Sequence, residues 1–289
     1  MHGTIVKGIG GFYYVRTQSG VVECRARGKF RSKKLSPAVG DNVVIRIGDD
    51  GTGSIESIDE RKNLFVRPPV ANIDALIIVA SVCNPAPDLT FIDKMLVIAE
   101  KNNLDVTICF NKFDLSTENV NDIVNLYMHA GYRAVTTSTV ENIGIDVIRA
   151  ALPGKATAFA GFSGVGKSSL MNSVLQRDVM QTGSVSERLR RGKHTTRHVE
   201  LVEYMGGYIV DTPGFSMLTL PDEIESHELS DLFPEFSEFV PECRFRGCLH
   251  TGDSNVCAVH RAVEDGRIAQ SRYDNYLRFL KSITDKKIK

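Results

Sequence analysis

The chain has 289 residues, with 35 Lys or Arg balanced by 35 Asp or Glu and 42% hydrophobic residues. This composition leaves room for about two or three ordinary cores and excludes extensive disorder. The zero net charge excludes a uniformly basic or acidic surface but hides local asymmetry, because cations crowd near the N-terminus and around Arg188 to Lys193.

The longest apolar run, Ala75 to Cys83 broken only by Ser81, falls well short of the about 20 residues that a spanning helix needs. It reads as a buried strand. The amino end, Met1-His2-Gly3-Thr4, shows no charged leader before an apolar core, so a cytoplasmic protein with no membrane partner is expected. Of six cysteines, Cys243, Cys248 and Cys257 cluster, while Cys24, Cys83 and Cys109 are scattered on apolar segments. That distribution predicts a metal site and reduced core thiols, not a disulfide framework.

From Met1 to about Asn63 the pattern is short and β-like: Gly3 to Lys7, Phe12 to Thr17, Val21 to Arg25, Asn42 to Ile47 and Gly53 to Ile58, separated by turn residues. The spacing predicts a small five-stranded, OB-like β-barrel. Between strands, Arg25, Arg27, Lys29, Arg31 and Lys33 fall at every second position. If that stretch is extended, they share one face. With Phe30 among them and Tyr13 and Tyr14 on a neighbouring strand, the row suits RNA phosphates and bases, the alternative being a solvated basic loop.

Arg67-Pro68-Pro69 reads as a rigid linker, after which strands and helices alternate. Strands are predicted at Asp74 to Ser81, Val106 to Phe110, Arg133 to Thr136 and Ala156 to Ala160, with helices at Phe91 to Asn103, Glu118 to Ala130 and Ile143 to Leu152. This is the pattern of a doubly wound parallel sheet, whose binding groups collect at the carboxyl ends of the strands.

One such end carries Asn111-Lys112-Phe113-Asp114. An ionised Asp114 can accept from both the ring N–H and the exocyclic amine of guanine, a pair of donors that adenine lacks. Asn111 would brace the loop and reach the base edge, and the Lys112 stem would cover the ring. Ser138 and Thr139, in Thr137-Ser138-Thr139 at the next strand end, could bond the base from its other side or form an ordinary turn.

Gly161-Phe162-Ser163-Gly164-Val165-Gly166-Lys167-Ser168-Ser169 is a phosphate-binding loop, flanked by the strand and a helix through Leu175 as that motif requires. Its glycines let backbone N–H groups face phosphate oxygens, Lys167 would neutralise the β and γ phosphates, and the Ser168 hydroxyl would hold the Mg²⁺ that accompanies GTP. Arg177 to His198 is a long polar, basic stretch and a switch candidate, in which Thr195 or Thr196 could complete the Mg²⁺ shell. Strands at Val199 to Tyr204 and Tyr208 to Val210 lead to Asp211-Thr212-Pro213-Gly214. Asp211 suits Mg²⁺, and the Gly214 N–H suits the γ phosphate. The residue after this glycine is Phe215, whose ring cannot orient water. His194 is therefore the candidate catalytic group, with RNA phosphate contact as its alternative role.

Cys243, Cys248, His250 and Cys257 form a C-x4-C-x-H-x6-C array. Three thiolates and an imidazole make a closed tetrahedral site for one structural Zn²⁺. His260 competes with His250 as the nitrogen ligand, and His250 is preferred because it shares a tight loop with Cys248. An amphipathic segment, Arg272 to Ile283, predicts a C-terminal helix.

The guanine motif precedes the phosphate loop by about fifty residues, the reverse of the usual GTPase order, so the GTPase domain reads as circularly permuted. Expected domains are residues 1–66, a barrel; 67–219, a permuted α/β GTPase; and 220–289, a mainly helical zinc-binding domain. With Lys193-His194-Thr195-Thr196 and Asp211 to Phe215, this arrangement resembles the RsgA family of ribosome small-subunit-dependent GTPases over essentially the whole chain. The resemblance implies GTP hydrolysis stimulated by the small ribosomal subunit, a part in late maturation of that subunit, rRNA contacts from the barrel and zinc domains, and a monomer exchanging GTP and GDP. It also maps the family's catalytic histidine onto His194.

Overall fold

The computed structural model describes the whole chain except residues 28–29, 31–35, 50, 67, 117–119, 177–198, 212–217 and 288–289. Strands β1 (His2–Ile9), β2 (Phe12–Thr17), β3 (Gly20–Ala26), β4 (Asn42–Ile47), β5 (Gly53–Ile58), β6 (Leu64–Val66) and β7 (Pro69–Ala71) open it. Then strands and helices alternate: β8 (Ala75–Ser81), α1 (Leu89–Lys101), β9 (Asp105–Asn111), α2 (Asn121–His129), β10 (Arg133–Thr136), α3 (Ile145–Ala150), β11 (Ala156–Ala160) and α4 (Lys167–Leu175). Strands β12 (Glu200–Tyr204) and β13 (Gly207–Asp211) follow, and short 3-10 turns lead to helices α5 (Ala258–Glu264) and α6 (Gln270–Lys287). Two compact units result, residues 1–77 with 145–218 and residues 78–144 with 219–289.

In the first unit, the strands pair in the order β1-β2-β3-β5-β4, and β1 also pairs with β4, so the barrel closes. Closure leaves no free edge and gives the five-stranded OB arrangement. Alternation fills it: Ile5, Val15, Cys24, Val43, Ile45 and Ile55 are all at most 2% exposed. Asp41 is fully buried, accepting from the Ala38 N–H at 2.7 Å and from the Arg61 fork at 2.6 and 2.7 Å.

Two expectations for this region change. Strand β3 ends at Ala26, so Arg27 lies beyond it, and the Phe30 N–H donates to the Arg27 carbonyl. Phe30 is 6% exposed, so burial of its ring outweighs any role as a platform for bases. Lys29, Arg31 and Lys33 lie outside the described residues. Pro69, in the stretch read as a linker, instead belongs to β7, which pairs antiparallel with β6, while Arg67 lies outside the described residues. Alternation in this pair buries Phe65 and Val70, and the Ala71 N–H bonds the Val39 carbonyl.

Strand β11 runs parallel to β13, but β12 runs antiparallel to β13 and meets β1 at Lys7 and Glu200. Strand β12 thus adds an antiparallel member to the sheet. A two-residue turn at Met205-Gly206 joins β12 to β13, too short for the crossover that a parallel pair needs. The barrel and the phosphate-loop strands share one continuous sheet in this unit.

In the second unit β9 lies between β10, to which it is parallel, and β8. Every residue of β8 is buried, as the uninterrupted apolar run implied. Helix α1 starts where the Asp88 carboxylate accepts from the Phe91 N–H at 3.0 Å. No helix among the described residues is long and apolar enough to cross a membrane.

Asp41→Ala should lower stability by about 3 kcal/mol, because it strands the mostly buried Arg61 guanidinium. Urea unfolding checks this as a lower midpoint at unchanged slope.

Candidate functional site

The phosphate loop begins where β11 ends. Gly164 and Gly166 hold φ values of 86° and 91°, a left-handed backbone that side-chain-bearing residues rarely adopt. Gly166 is also the N-cap of α4 and brings no side chain to that end. The helix therefore offers its N-terminal dipole to an anion. Lys167 Nζ donates to the carbonyls of Gly161 at 2.5 Å and Phe162 at 2.8 Å. Its ammonium thus arches over the loop. Ser168 and Ser169 stand in the first turn of α4, both half-buried.

The guanine motif sits at the carboxyl end of β9. Asn111 is 1% exposed, and its Oδ1 accepts from Thr137 Oγ1 at 3.0 Å. Lys112 takes a left-handed backbone and donates from Nζ to the Asn84 carbonyl at 2.7 Å. Asp114 follows in a short 3-10 turn, where its Oδ1 accepts from the Ser138 hydroxyl at 2.5 Å. Ser138 is itself fully buried and accepts from the Glu141 N–H. The sequence offered Ser138 as a base contact, whereas its hydroxyl is committed to aiming the Asp114 carboxylate. Thr139 is half-buried beside it.

Thr137, which precedes Ser138 and Thr139 in that stretch, anchors this loop. It is fully buried, its Oγ1 lies 2.9 Å from Cys109 Sγ, and its carbonyl accepts from the Phe113 N–H. Burial pushes the Cys109 thiol up to about 12, with Thr137 pulling the other way, so Cys109 stays protonated at neutral pH. The thiol then donates to Thr137, which donates to Asn111. The alternation of β9 gave the signal: Cys109 and Asn111 point the same way, toward the next strand end.

Several expected site residues lie outside the described residues: His194, Thr195, Thr196, Gly214 and Phe215. Asp211 ends β13 opposite Glu200; its side chain is likewise outside.

The cysteine array converges. One ligand atom from each of Cys243, Cys248, His250 and Cys257 lies within 4.8 Å of the others. His250 Nδ1 is 3.6 Å from both Cys243 Sγ and Cys257 Sγ. Tetrahedral zinc with bonds of about 2.0–2.3 Å requires ligand atoms roughly 3.5–3.7 Å apart. The residues present fit that ion. His260 turns away, with Nδ1 2.8 Å from the Gly252 carbonyl and its ring stacked on Tyr273. Between the first two cysteines, Arg244, Phe245 and Arg246 are all exposed, with the Arg244 guanidinium 5.7 Å from the Phe245 ring centroid. An aromatic between two arginines, on the loop joining two cysteines of the cluster, is legible in the sequence.

Of the five cations expected to meet RNA, two are described: Arg25 lies 4.5 Å over the Phe12 ring, and Arg27 pairs with Glu56 at 2.6 Å. Both are exposed.

A barrel, an α/β domain whose guanine motif precedes its phosphate loop, and a Cys₃His cluster with C-terminal helices define a circularly permuted GTPase. The comparisons with known proteins agree. A family model described as RsgA GTPase matches residues 58–221, and one described as RsgA N-terminal domain matches residues 2–55. The chain is 44% identical over 286 residues to the small ribosomal subunit biogenesis GTPase RsgA of Clostridium beijerinckii, covering 99% of this chain and 98% of that protein. Its likeness to the protein of that name from Alkaliphilus metalliredigens is 45% over 285 residues, 97% of each. Among solved structures, YloQ, described as a circularly permuted GTPase, superposes with a TM-score of 0.80 at 37% identity, covering 99% of this chain and 95% of YloQ. YjeQ from Thermotoga maritima gives 0.85 at 37% identity over 98% of each chain. The chain belongs to the RsgA GTPase family.

Thr137→Val keeps the shape but removes the hydroxyl that links Cys109 to Asn111. Its expected cost is about 1–3 kcal/mol of stability. Denaturant unfolding, with backbone amide exchange at residues 111–114, measures it.

Proposed function

We propose that this chain hydrolyses GTP in late maturation of the small ribosomal subunit, with turnover stimulated by that subunit. The observation that carries the guanine half of this reading is the Asp114 carboxylate, set by Ser138 at a strand end. The ribosomal half rests on membership of a family whose relatives are named for small-subunit biogenesis.

In this reading Asp114 accepts from the guanine ring N–H and amine. Asn111 braces the loop, and the Lys112 stem, tied to the Asn84 carbonyl, covers the base. A base lacking those donors leaves the carboxylate desolvated with only the Ser138 hydroxyl bonded to it, which disfavours adenine by several kcal/mol. Backbone N–H groups of residues 161–169 cradle the phosphates, and Lys167 exchanges the Gly161 and Phe162 carbonyls for β and γ oxygens. Ser168 and Asp211, with Thr195 or Thr196, would hold Mg²⁺, which supplies charge neutralisation at the phosphates when bound. Gly214 donates its N–H to the γ phosphate. With Phe215 in place of glutamine, His194 positions the attacking water; its other role, contact with RNA phosphate, is separated from catalysis by assay.

The cluster of Cys243, Cys248, His250 and Cys257 holds a single structural zinc. All four positions are filled by protein, so nothing remains open for a substrate. Arg25, Arg27, Lys29, Arg31 and Lys33 meet rRNA phosphates, for which Arg27 gives up its exposed pair with Glu56 at little cost. The protein acts as a cytoplasmic monomer.

Multiple-turnover GTP hydrolysis, titrated with purified small subunits, tests the central reaction. Stimulated turnover that His194→Ala abolishes, while binding to the subunit persists, is expected. Turnover unchanged by subunits would favour a non-catalytic, GTP-switched RNA-binding scaffold. Chelation of zinc, or Cys248→Ser, should melt the C-terminal region, seen as lost α6 helicity by circular dichroism. Loss of a chemical activity with folding intact would instead indicate a catalytic metal.

A further inference from the structure

Arg272 is 1% exposed and sits within α6. Its Nη1 donates to Asp93 Oδ1 on α1 at 2.8 Å, and its Nε and Nη2 form a fork on Glu235 at 2.6 and 3.0 Å. Asn275, one turn on, donates to Asp93 Oδ2 at 2.6 Å. Burial alone would push Arg272 down, but Asp93 and Glu235 outweigh it and keep the guanidinium charged. So many partners around one buried charge make an arrangement that cannot slide.

Two chains of contact leave this point. Toward the cluster, the next residue of α6, Tyr273, donates its hydroxyl to the His250 carbonyl at 2.6 Å, and Tyr276 donates to the Leu249 carbonyl at 2.9 Å. Toward the guanine loop, Asp93 Oδ1 also accepts from the Tyr127 hydroxyl at 3.0 Å, and the Tyr127 ring packs 6.1 Å from that of Phe110. Phe110 immediately precedes Asn111 in β9. Every member belongs to the second compact unit.

We propose that Arg272 is a positioning residue that couples metal occupancy of the Cys243, Cys248, His250 and Cys257 cluster to guanine-nucleotide binding at Asn111 to Asp114. The inference rests on the guanine reading above. Metal fixes the backbone of Leu249 and His250, those carbonyls fix Tyr273 and Tyr276, and α6 then holds Arg272 where Asp93 and Tyr127 support β9. Coupling of this kind is reciprocal, so nucleotide must tighten zinc as zinc tightens nucleotide.

The test measures zinc affinity of the full chain by competition with a chromogenic chelator, with and without saturating GDP. Binding of a fluorescent GDP analogue is followed in the same samples. Zinc affinity should rise about fivefold or more with GDP. The rise should vanish in the triple variant Asp93→Leu, Glu235→Leu, Arg272→Met, which leaves no buried charge uncompensated, although the Tyr127 hydroxyl and the Asn275 amide lose their acceptor. Plain structural damage would weaken zinc equally with and without GDP, leaving the ratio unchanged. If the triple variant does not fold, Tyr127→Phe, which removes one hydroxyl, should lower the ratio toward one. GDP that binds without altering zinc affinity, or a ratio that survives these variants, overturns the proposal. Failure to bind GDP at all overturns the guanine reading, and the coupling falls with it.

Discussion

A guanidinium taken out of water must be neutralised where it lies, and around Arg272 that demand organises the second unit. Asp93 comes from α1, Glu235 from the 3-10 turns before the cysteines, and the rings of Phe233 and Tyr132 lie 4.6 and 5.6 Å from the guanidinium carbon. Breaking any of these pairs leaves an uncompensated buried charge, a penalty of roughly 3–5 kcal/mol. The C-terminal helix therefore does not hang from the chain as an appendage. It is built into the half of the GTPase fold that carries Asp114.

The first unit is held differently. Its barrel closes through apolar alternation, and β12 carries the sheet from β1 into β13 and β11. Exposed pairs such as Lys7 with Glu200 and Arg16 with Glu203 line that seam. They contribute little stability in water, so backbone pairing and the buried faces dominate there. This unit presents the phosphate loop from a rigid strand, while the loop's own glycines supply the curvature. The phosphate loop belongs to the first unit and the guanine motif to the second.

Most of this was legible in the residues because local rules and global fold agree. The five barrel strands, β8 to β11 and the phosphate loop all follow from periodicity and glycine placement. The cysteine spacing also identified the four residues whose ligand atoms converge. What escaped the sequence depended on tertiary burial. Phe30 reads as an aromatic among cations, but its ring is buried in the core. Arg67-Pro68-Pro69 reads as a stiff spacer, but Phe65 and Val70 gain more by pairing and burying. The bond from the Ser138 hydroxyl to Asp114 appears only in the fold. Arg272 looks like one polar residue on an amphipathic helix, because nothing local marks a charge whose partners lie 37 and 179 residues away.

In the proposed function, Asp114, aimed by Ser138, selects guanine. The most direct measurement compares GDP and xanthosine diphosphate affinities for the native chain and for Asp114→Asn by equilibrium titration. Xanthine carries a carbonyl where guanine carries its amine, so an amide at position 114 suits it better than a carboxylate does. The account predicts that the substitution weakens GDP by about a hundredfold, some 3 kcal/mol, and tightens xanthosine diphosphate. Unchanged affinities for both nucleotides would contradict it.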